Sequence, residues 1–460
     1  MAQAARITYV CQSCGTSYPK WAGRCEACGA WNTLVEEQQS GPPGGLKSSR
    51  KASRAQGPKL TFSSLATEIE AAPRLTTQDP EFDRVTGGGL VPGSALLIGG
   101  DPGIGKSTLL LQSLAQLSYS GQDTVYVSGE ESEAQVQLRA QRMGLGDAPL
   151  RLAASTDVRK IVTTLERETP PAALVVDSIQ TLYVDTIESA PGTVSQVRAS
   201  AQELVRLAKK RGIALLLVGH VTKDGAIAGP KVVEHLVDAV LHFEGDRNHH
   251  FRILRALKNR FGPTDEIGVY AMDASGLQAV SNPSALFLSD HDSPTAGTVV
   301  FAGLEGTRPL LAEIQALVAP SPLATPRRAL VGWDSGRLAM VLAVLEARCG
   351  LSLANRDVYL NVVGGLRILE PAADLAAAAA IASAATGQAF PQGTVIFGEL
   401  GLTGELRAVP LPELRAKEAD KLGFSRLIVP QAVRSKLDSQ LSVEAIGHLS
   451  ELAQALSPER

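Results

Sequence analysis

The chain has 460 residues, 44% of them hydrophobic and 20% charged, and a net charge of −3. That length exceeds what one hydrophobic core organises, so two or three domains are expected. No apolar run approaches the roughly 20 residues of a bilayer-crossing helix and the N-terminus lacks a signal-peptide pattern, so the expectation is a cytoplasmic protein with no membrane partner.

The first 60 residues carry eight Lys/Arg against three Glu, so this end is basic while the rest compensates. Four of the five cysteines fall here, as Cys11, Cys14, Cys25 and Cys28. Two CxxC pairs, each followed by glycine (Gly15 and Gly29), make two tight knuckles that together supply four thiolates. Such a set closes a tetrahedral, structural Zn²⁺ site with no open position. A redox dithiol or free thiols explain the doubled spacing poorly. The finger is assigned residues 1–33. Cys349, in the apolar pattern LAMVLAVLEARCG, reads as a buried small hydrophobe.

Residues 34–58 are rich in Gly, Ser, Pro and basic side chains and read as a flexible linker. From 59 to 285, apolar strand patterns (SALLIG, TVYVS, AALVVD, IALLLVG) alternate with helical ones. This alternation predicts a mostly parallel sheet covered on both faces. AVLHFEG, HFRILRALK and EIGVYAM follow one another with no helix between them, predicting an antiparallel extension at one edge. A second α/β pattern, residues 286–460, forms a separate domain.

Gly100, Asp101, Pro102, Gly103, Ile104, Gly105, Lys106 and Ser107 match GxxxxGK[ST] between a strand and a helix that continues with Thr108. Backbone N–H groups of this loop surround phosphate oxygens, Lys106 reaches the β/γ-phosphates, and Ser107 ligates Mg²⁺. ATP is the expected nucleotide. Asp177 ends the strand ALVVD, where a carboxylate holds the magnesium shell. Glu130, at the tip of TVYVS, is preferred to Glu131 for orienting the attacking water. The alternative is that both are helix-capping acids. His220, at the end of IALLLVGH, is a candidate γ-phosphate contact or a structural histidine.

The order P-loop, strand-tip Glu, DSIQT, VGHVTKDG resembles the RecA-like ATPase fold. With the segment Lys258-Asn-Arg-Phe-Gly262, the four-cysteine finger and the C-terminal domain, the whole chain is similar to the bacterial RadA (Sms) recombination proteins. The resemblance implies a ring, a homohexamer, that moves on single-stranded and branched DNA and drives branch migration in recombinational repair, with a RecA-type recombinase as a partner. It also implies that Lys258 and Arg260 act on nucleotide, at least partly across a subunit interface; as arginine fingers do, they would neutralise developing phosphoryl charge. A phosphate-binding surface turn is the competing reading. Lys223 and Lys231, in the loop after VGHVT, are candidate DNA contacts or incidental lysines; the resemblance favours DNA.

The C-terminal region resembles the proteolytic domain of Lon-type proteases, whose nucleophilic Ser lies in a Gly-Pro-Ser-Ala-Gly turn. The matching stretch here is Glu370-Pro371-Ala372-Ala373-Asp374, with Ala372 in the nucleophile's place and Arg415 replacing the general-base Lys, two residues before Lys417. Alanine has no nucleophilic atom and arginine cannot act as a neutral base. Peptidase activity is therefore not expected. A basic surface with Arg327, Arg328 and Arg367 as DNA contacts is.

Overall fold

The structure is a computed structural model that describes residues 6–11, 16–27, 29–39, 73–219, 231–245, 251–288 and 293–456. It divides into two compact units, Met1–Ala279 and Val280–Arg460.

The first unit opens on a three-stranded antiparallel sheet, β1 (Arg6–Cys11), β2 (Ser17–Tyr18) and β3 (Leu34–Gln39), in the order β2-β1-β3. The strand β3 corrects the linker reading of residues 34–39. These residues pair with β1 along its whole length, from Cys11 opposite Leu34 to Arg6 opposite Gln39. Backbone pairing, which polar side chains do not prevent, overrides the acidic and amide-rich composition there.

The P-loop core follows as α1 (Pro80–Thr86), β4 (Ala95–Gly100), α2 (Lys106–Tyr119), β5 (Thr124–Ser128), α3 (Glu133–Arg142), β6 (Arg151–Ala154), α4 (Val158–Arg167), β7 (Ala173–Asp177), α5 (Val194–Arg211), β8 (Ala214–Val218), α6 (Lys231–Leu236), β9 (Ala239–Glu244), β10 (Phe251–Asn259), β11 (Ile267–Asp273) and β12 (Gly276–Ala279). They build one nine-stranded sheet ordered β12-β11-β10-β9-β4-β8-β7-β5-β6. The six strands from β9 to β6 in that order are parallel. Beyond β9 the sheet continues antiparallel through β10, β11 and β12, as the missing helices predict.

Strand alternation divides the core between the two faces. Leu96 and Ile98 of β4 join apolar residues of α1, α2 and α3, whereas Ala95 and Leu97 join those of α4, α5 and α6. Period-two side chains on a doubly covered sheet produce this division, and they explain why the strands read as continuous apolar runs.

The second unit contains β13 (Thr298–Glu305), β14 (Arg308–Pro320), β15 (Arg328–Val331), α7 (Ser335–Cys349), β16 (Arg356–Val362), α8 (Asp374–Thr386), β17 (Thr394–Ile396), β18 (Glu399–Leu400), β19 (Leu406–Arg407), α9 (Pro412–Lys421), β20 (Arg426–Pro430), β21 (Ser442–Ile446) and α10 (Leu449–Ala455). Its main sheet runs β15-β16-β14-β13-β17-β20-β21. Residues 280–285, read from sequence as part of the ATPase segment, belong to this unit. Ser284 Oγ accepts from Leu311 N at 3.1 Å, and the neighbouring Phe287 is fully buried beside Gly364.

Candidate nucleotide site

In a parallel sheet the carboxyl ends of all strands emerge at one edge, where open α/β folds bind ligands. The ends of β4, β5 and β7 bring Gly100–Ser107, Glu130 and Asp177 to that edge. The loop winds through left-handed glycines, with φ of 149° at Gly100, 77° at Gly103 and 116° at Gly105. At Gly100 a Cβ would lie 2.3 Å from the carbonyl oxygen of Phe243, so the turn has room for hydrogen alone.

Lys106 is 4% exposed, and its ammonium donates to the carbonyls of Gly100 at 2.7 Å and Asp101 at 2.9 Å. Burial pushes its pKa down, against the opposing pull of Asp177, Asp101 and Glu130. A buried cation, held by its own loop beside three acidic side chains, fits an anionic ligand such as a phosphate, and the acids would hold a divalent metal that supplies charge neutralisation.

Two hydroxyls hold the acids. Tyr126 OH donates to Asp177 Oδ2 at 2.5 Å, and Ser178 Oγ donates to Glu130 Oε1 at 2.5 Å. Burial, and then the Asp177 carboxylate, raise the Tyr126 phenol far above its ordinary range. Glu131 turns away into an ion pair with Arg139. Neither hydroxyl was singled out from the sequence; the one available signal was a tyrosine between two valines in a buried strand.

Lys258 and Arg260 lie elsewhere. Strand β10 runs antiparallel to β9, so Asn259 pairs with Ala239, which itself pairs with Leu96 near the start of β4. The P-loop leaves the far end of β4 at Gly100, four residues on, or about 13 Å along the strand. Lys258 donates to the carbonyls of Glu234 and Val237, both at 2.7 Å, satisfying the open C-terminal end of α6. Arg260, 58% exposed, pairs with Asp238 Oδ1 at 3.2 Å. The buried Asp238 carboxylate also accepts from Lys209 and from the Ala95 amide that starts β4. Cys14, Cys28, His220 and Lys223 lie outside the described residues, as does the side chain of Lys231, whose backbone opens α6.

Among known proteins, residues 64–226 match the AAA domain family, residues 9–36 the rubredoxin metal binding domain, and residues 338–433 the ChlI subunit of Mg-chelatase. A DNA repair protein RadA of Brucella abortus (strain 2308) is 57% identical, covering 92% of both chains. Proteins of the same name from Bacillus subtilis (strain 168) and Escherichia coli (strain K12) are 49% and 48% identical, over 97% and 98% of this chain and equal shares of their own. The chain belongs to the RadA family of DNA repair proteins. A solved RadB recombinase covers 45% of it at 23% identity and a TM-score of 0.37, too distant to add to these relatives.

As a RadA-family protein the chain carries a RecA-like ATPase core, an N-terminal zinc-ribbon domain and a ChlI/Lon-like C-terminal domain. In the ribbon, Cys11 N donates to Thr16 O at 3.0 Å and Cys25 N to Ala30 O at 2.8 Å, two knuckles of the same i to i+5 closure. Both thiols are buried, and Gly29, directly after Cys28, has φ +76°. Two buried cysteines on matched turns suit a thiolate metal site, whose other two candidate ligands, Cys14 and Cys28, lie outside the described residues.

In the Lon-like unit of this RadA-family chain, Ala372 and Arg415 are fully or almost fully buried. Arg415 is locked by Glu370 at 2.6 Å, the Ala302 carbonyl at 2.6 Å and the Pro410 carbonyl at 3.2 Å, with the Phe397 ring 5.6 Å from its guanidinium carbon. Lys417 faces out on the opposite side of α9. Arg327, Arg328 and Arg367 are all exposed. Arg327 and Arg328 stand at the start of the edge strand β15, and Arg367 precedes Ile368, whose amide bonds Gly332 O at the other end of that strand.

Proposed function

We propose that this protein is an ATP-hydrolysing, DNA-dependent motor that works as a homohexameric ring and promotes branch migration of recombination intermediates. The observation that supports it most is the separation, across the sheet, of the phosphate-loop residues from a second pair of cations. Lys106, Asp177 and Glu130 gather at the carboxyl edge, whereas Lys258 and exposed Arg260 lie at the opposite edge of the same subunit. A cation so far from its own phosphate loop serves a nucleotide by reaching a neighbour's, as arginine fingers do in trans.

In this reading the Gly100–Thr108 loop holds ATP, with Lys106 on the β/γ-phosphates. Ser107 and Asp177 hold Mg²⁺, which supplies charge neutralisation to the phosphoryl group when bound. Glu130 orients water, and His220 senses the γ-phosphate. Cys11, Cys14, Cys25 and Cys28 close one structural Zn²⁺ site. Lys223, Lys231, Arg327, Arg328 and Arg367 contact DNA phosphates, which fix position without reading sequence. Single-stranded and branched DNA in the cytoplasm are the substrates, and a RecA-type recombinase is the partner. The Lon-like unit supports assembly and does not cleave peptides.

The test is ATP hydrolysis with and without DNA, alongside strand displacement on a forked duplex across a salt series. The motor reading expects DNA-stimulated turnover, displacement, and binding that falls steeply with salt. Hydrolysis that ignores DNA, or that proceeds without any displacement, overturns it; the latter leaves a mediator that uses ATP as a switch.

A further inference from the structure

Tyr126 sits in the middle of β5, between β6 and β7, and has no exposed surface. It faces Val175 in the pairing of β5 with β7, and Ser128 faces Asp177. Asp177 therefore lies two residues further along the same face, a diagonal of about 7 Å that a long side chain spans. The phenol oxygen ends 2.5 Å from Asp177 Oδ2. Among the described residues it is the protein donor to that carboxylate. Its ring packs in the apolar cluster with Leu114 and Val136, which fixes where the hydroxyl points.

A buried hydroxyl must be paired, and a phenylalanine would fill the same space without that demand. The tyrosine therefore contributes one donor, and it is aimed at the acid that ends the neighbouring strand. We infer that Tyr126 is a positioning residue for Asp177: its hydroxyl occupies Oδ2 and so fixes the carboxylate plane, presenting Oδ1 toward the magnesium shell of the bound nucleotide. The inference rests on the Mg²⁺–ATP reading of this edge. Partners that orient a metal-binding group commonly change metal affinity by about 10- to 100-fold when removed.

The experiment uses the full chain and Tyr126→Phe, which keeps the ring and its packing; matching melting curves check the fold. A fluorescent ATP analogue is titrated in EDTA and then at rising Mg²⁺. A parallel series with Mn²⁺ follows the metal by electron paramagnetic resonance. The expected result is nucleotide affinity in EDTA within about twofold of wild type, with the Mg²⁺ and Mn²⁺ concentrations for half-maximal effect raised about tenfold. A general loss of structure would instead weaken binding in EDTA as well, and that outcome overturns the inference. So does metal dependence that superimposes on wild type. Asp177→Asn separates the two layers: it must lose most of the metal dependence. If it does not, the magnesium assignment of Asp177 fails, and the Tyr126 role with it.

Discussion

Arg415 Nη2 lies 2.6 Å from Glu370 Oε2, with the arginine side chain fully buried and the carboxylate 21% exposed. Where the Lon-like pattern would need a neutral lysine, this unit holds a permanently charged guanidinium already engaged by Glu370 and two carbonyls. The site has become a structural tie between α9, β13 and the turn before α8. Arg415→Ala leaves Glu370 with only the Leu304 amide among these contacts and no counter-charge, and is expected to cost about 3 kcal/mol, the lower range for breaking a buried pair. Urea unfolding measures it. Arg415→Lys is expected to restore no peptide cleavage, because buried Ala372 offers no nucleophile; cleavage by that variant would remove the structural assignment.

Gly100→Ala should be far more damaging than an alanine at another left-handed glycine. Its Cβ would meet a backbone oxygen at 2.3 Å, which no rotamer change relieves, whereas Gly121, also left-handed, has nothing within 4 Å. Both substitutions carry strain of about 1–3 kcal/mol. Only Gly100→Ala is expected to abolish nucleotide binding, as read by analogue fluorescence; equal binding by the two variants would contradict the close approach to Phe243.

Mixed rings test action across the interface. In the proposed ring, Lys106→Ala would remove a subunit's own phosphate contact, and Arg260→Ala would remove what it offers its neighbour. Each variant alone is expected to hydrolyse ATP at a small fraction of the wild-type rate. Mixing them should recover part of the activity, since some interfaces then pair an intact loop with an intact Arg260. Low activity at every mixing ratio would overturn action across the interface, and wild-type turnover by Arg260→Ala alone would place that residue outside the reaction.

Asp79 caps α1 through the amides of Glu81 and Phe82 and accepts from Tyr270 OH at 3.0 Å. Burial raises its pKa, opposed by those hydrogen bonds. A carboxyl with a folded pKa above its unfolded value favours folding when protonated. Its charge therefore costs stability above the folded pKa, and that cost disappears as pH falls through it toward the unfolded value. Asp79→Asn, still a capping residue, should equal or exceed wild-type stability at pH 7 and lose that advantage in mildly acidic buffer. Thermal melts at pH 7 and near pH 4 give the comparison; an Asn variant that is weaker at pH 7 and stronger in acid would reverse the sign.

The ribbon should hold about one Zn²⁺ per chain. Cys25→Ser is expected to drop the metal content to near zero while leaving ATP binding at Lys106 within about twofold, since structural zinc folds its own ribbon. Metal analysis with nucleotide titration decides this, and full zinc retention by the variant would exclude Cys25 as a ligand.

The sequence by itself determined the P-loop, the doubled CxxC, the parallel core, its antiparallel edge, and the loss of the serine from the Lon-like pattern. Each is carried by residues close in the chain: glycines that fix a turn, apolar runs that fix a strand, a spacing that fixes a knuckle. Strand β3 was hidden because its pairing is made by backbone groups beneath side chains that look like a linker. Only the tertiary structure decided that Tyr126 and Ser178 hold the two acids, that Arg415 is sealed by Glu370, and that Lys258 and Arg260 stand an entire strand length from their own P-loop. Those relationships depend on register and strand direction between segments 45 to more than 150 residues apart. Local patterning carries no record of either, because it reports which face a residue takes and not which strand lies beside it.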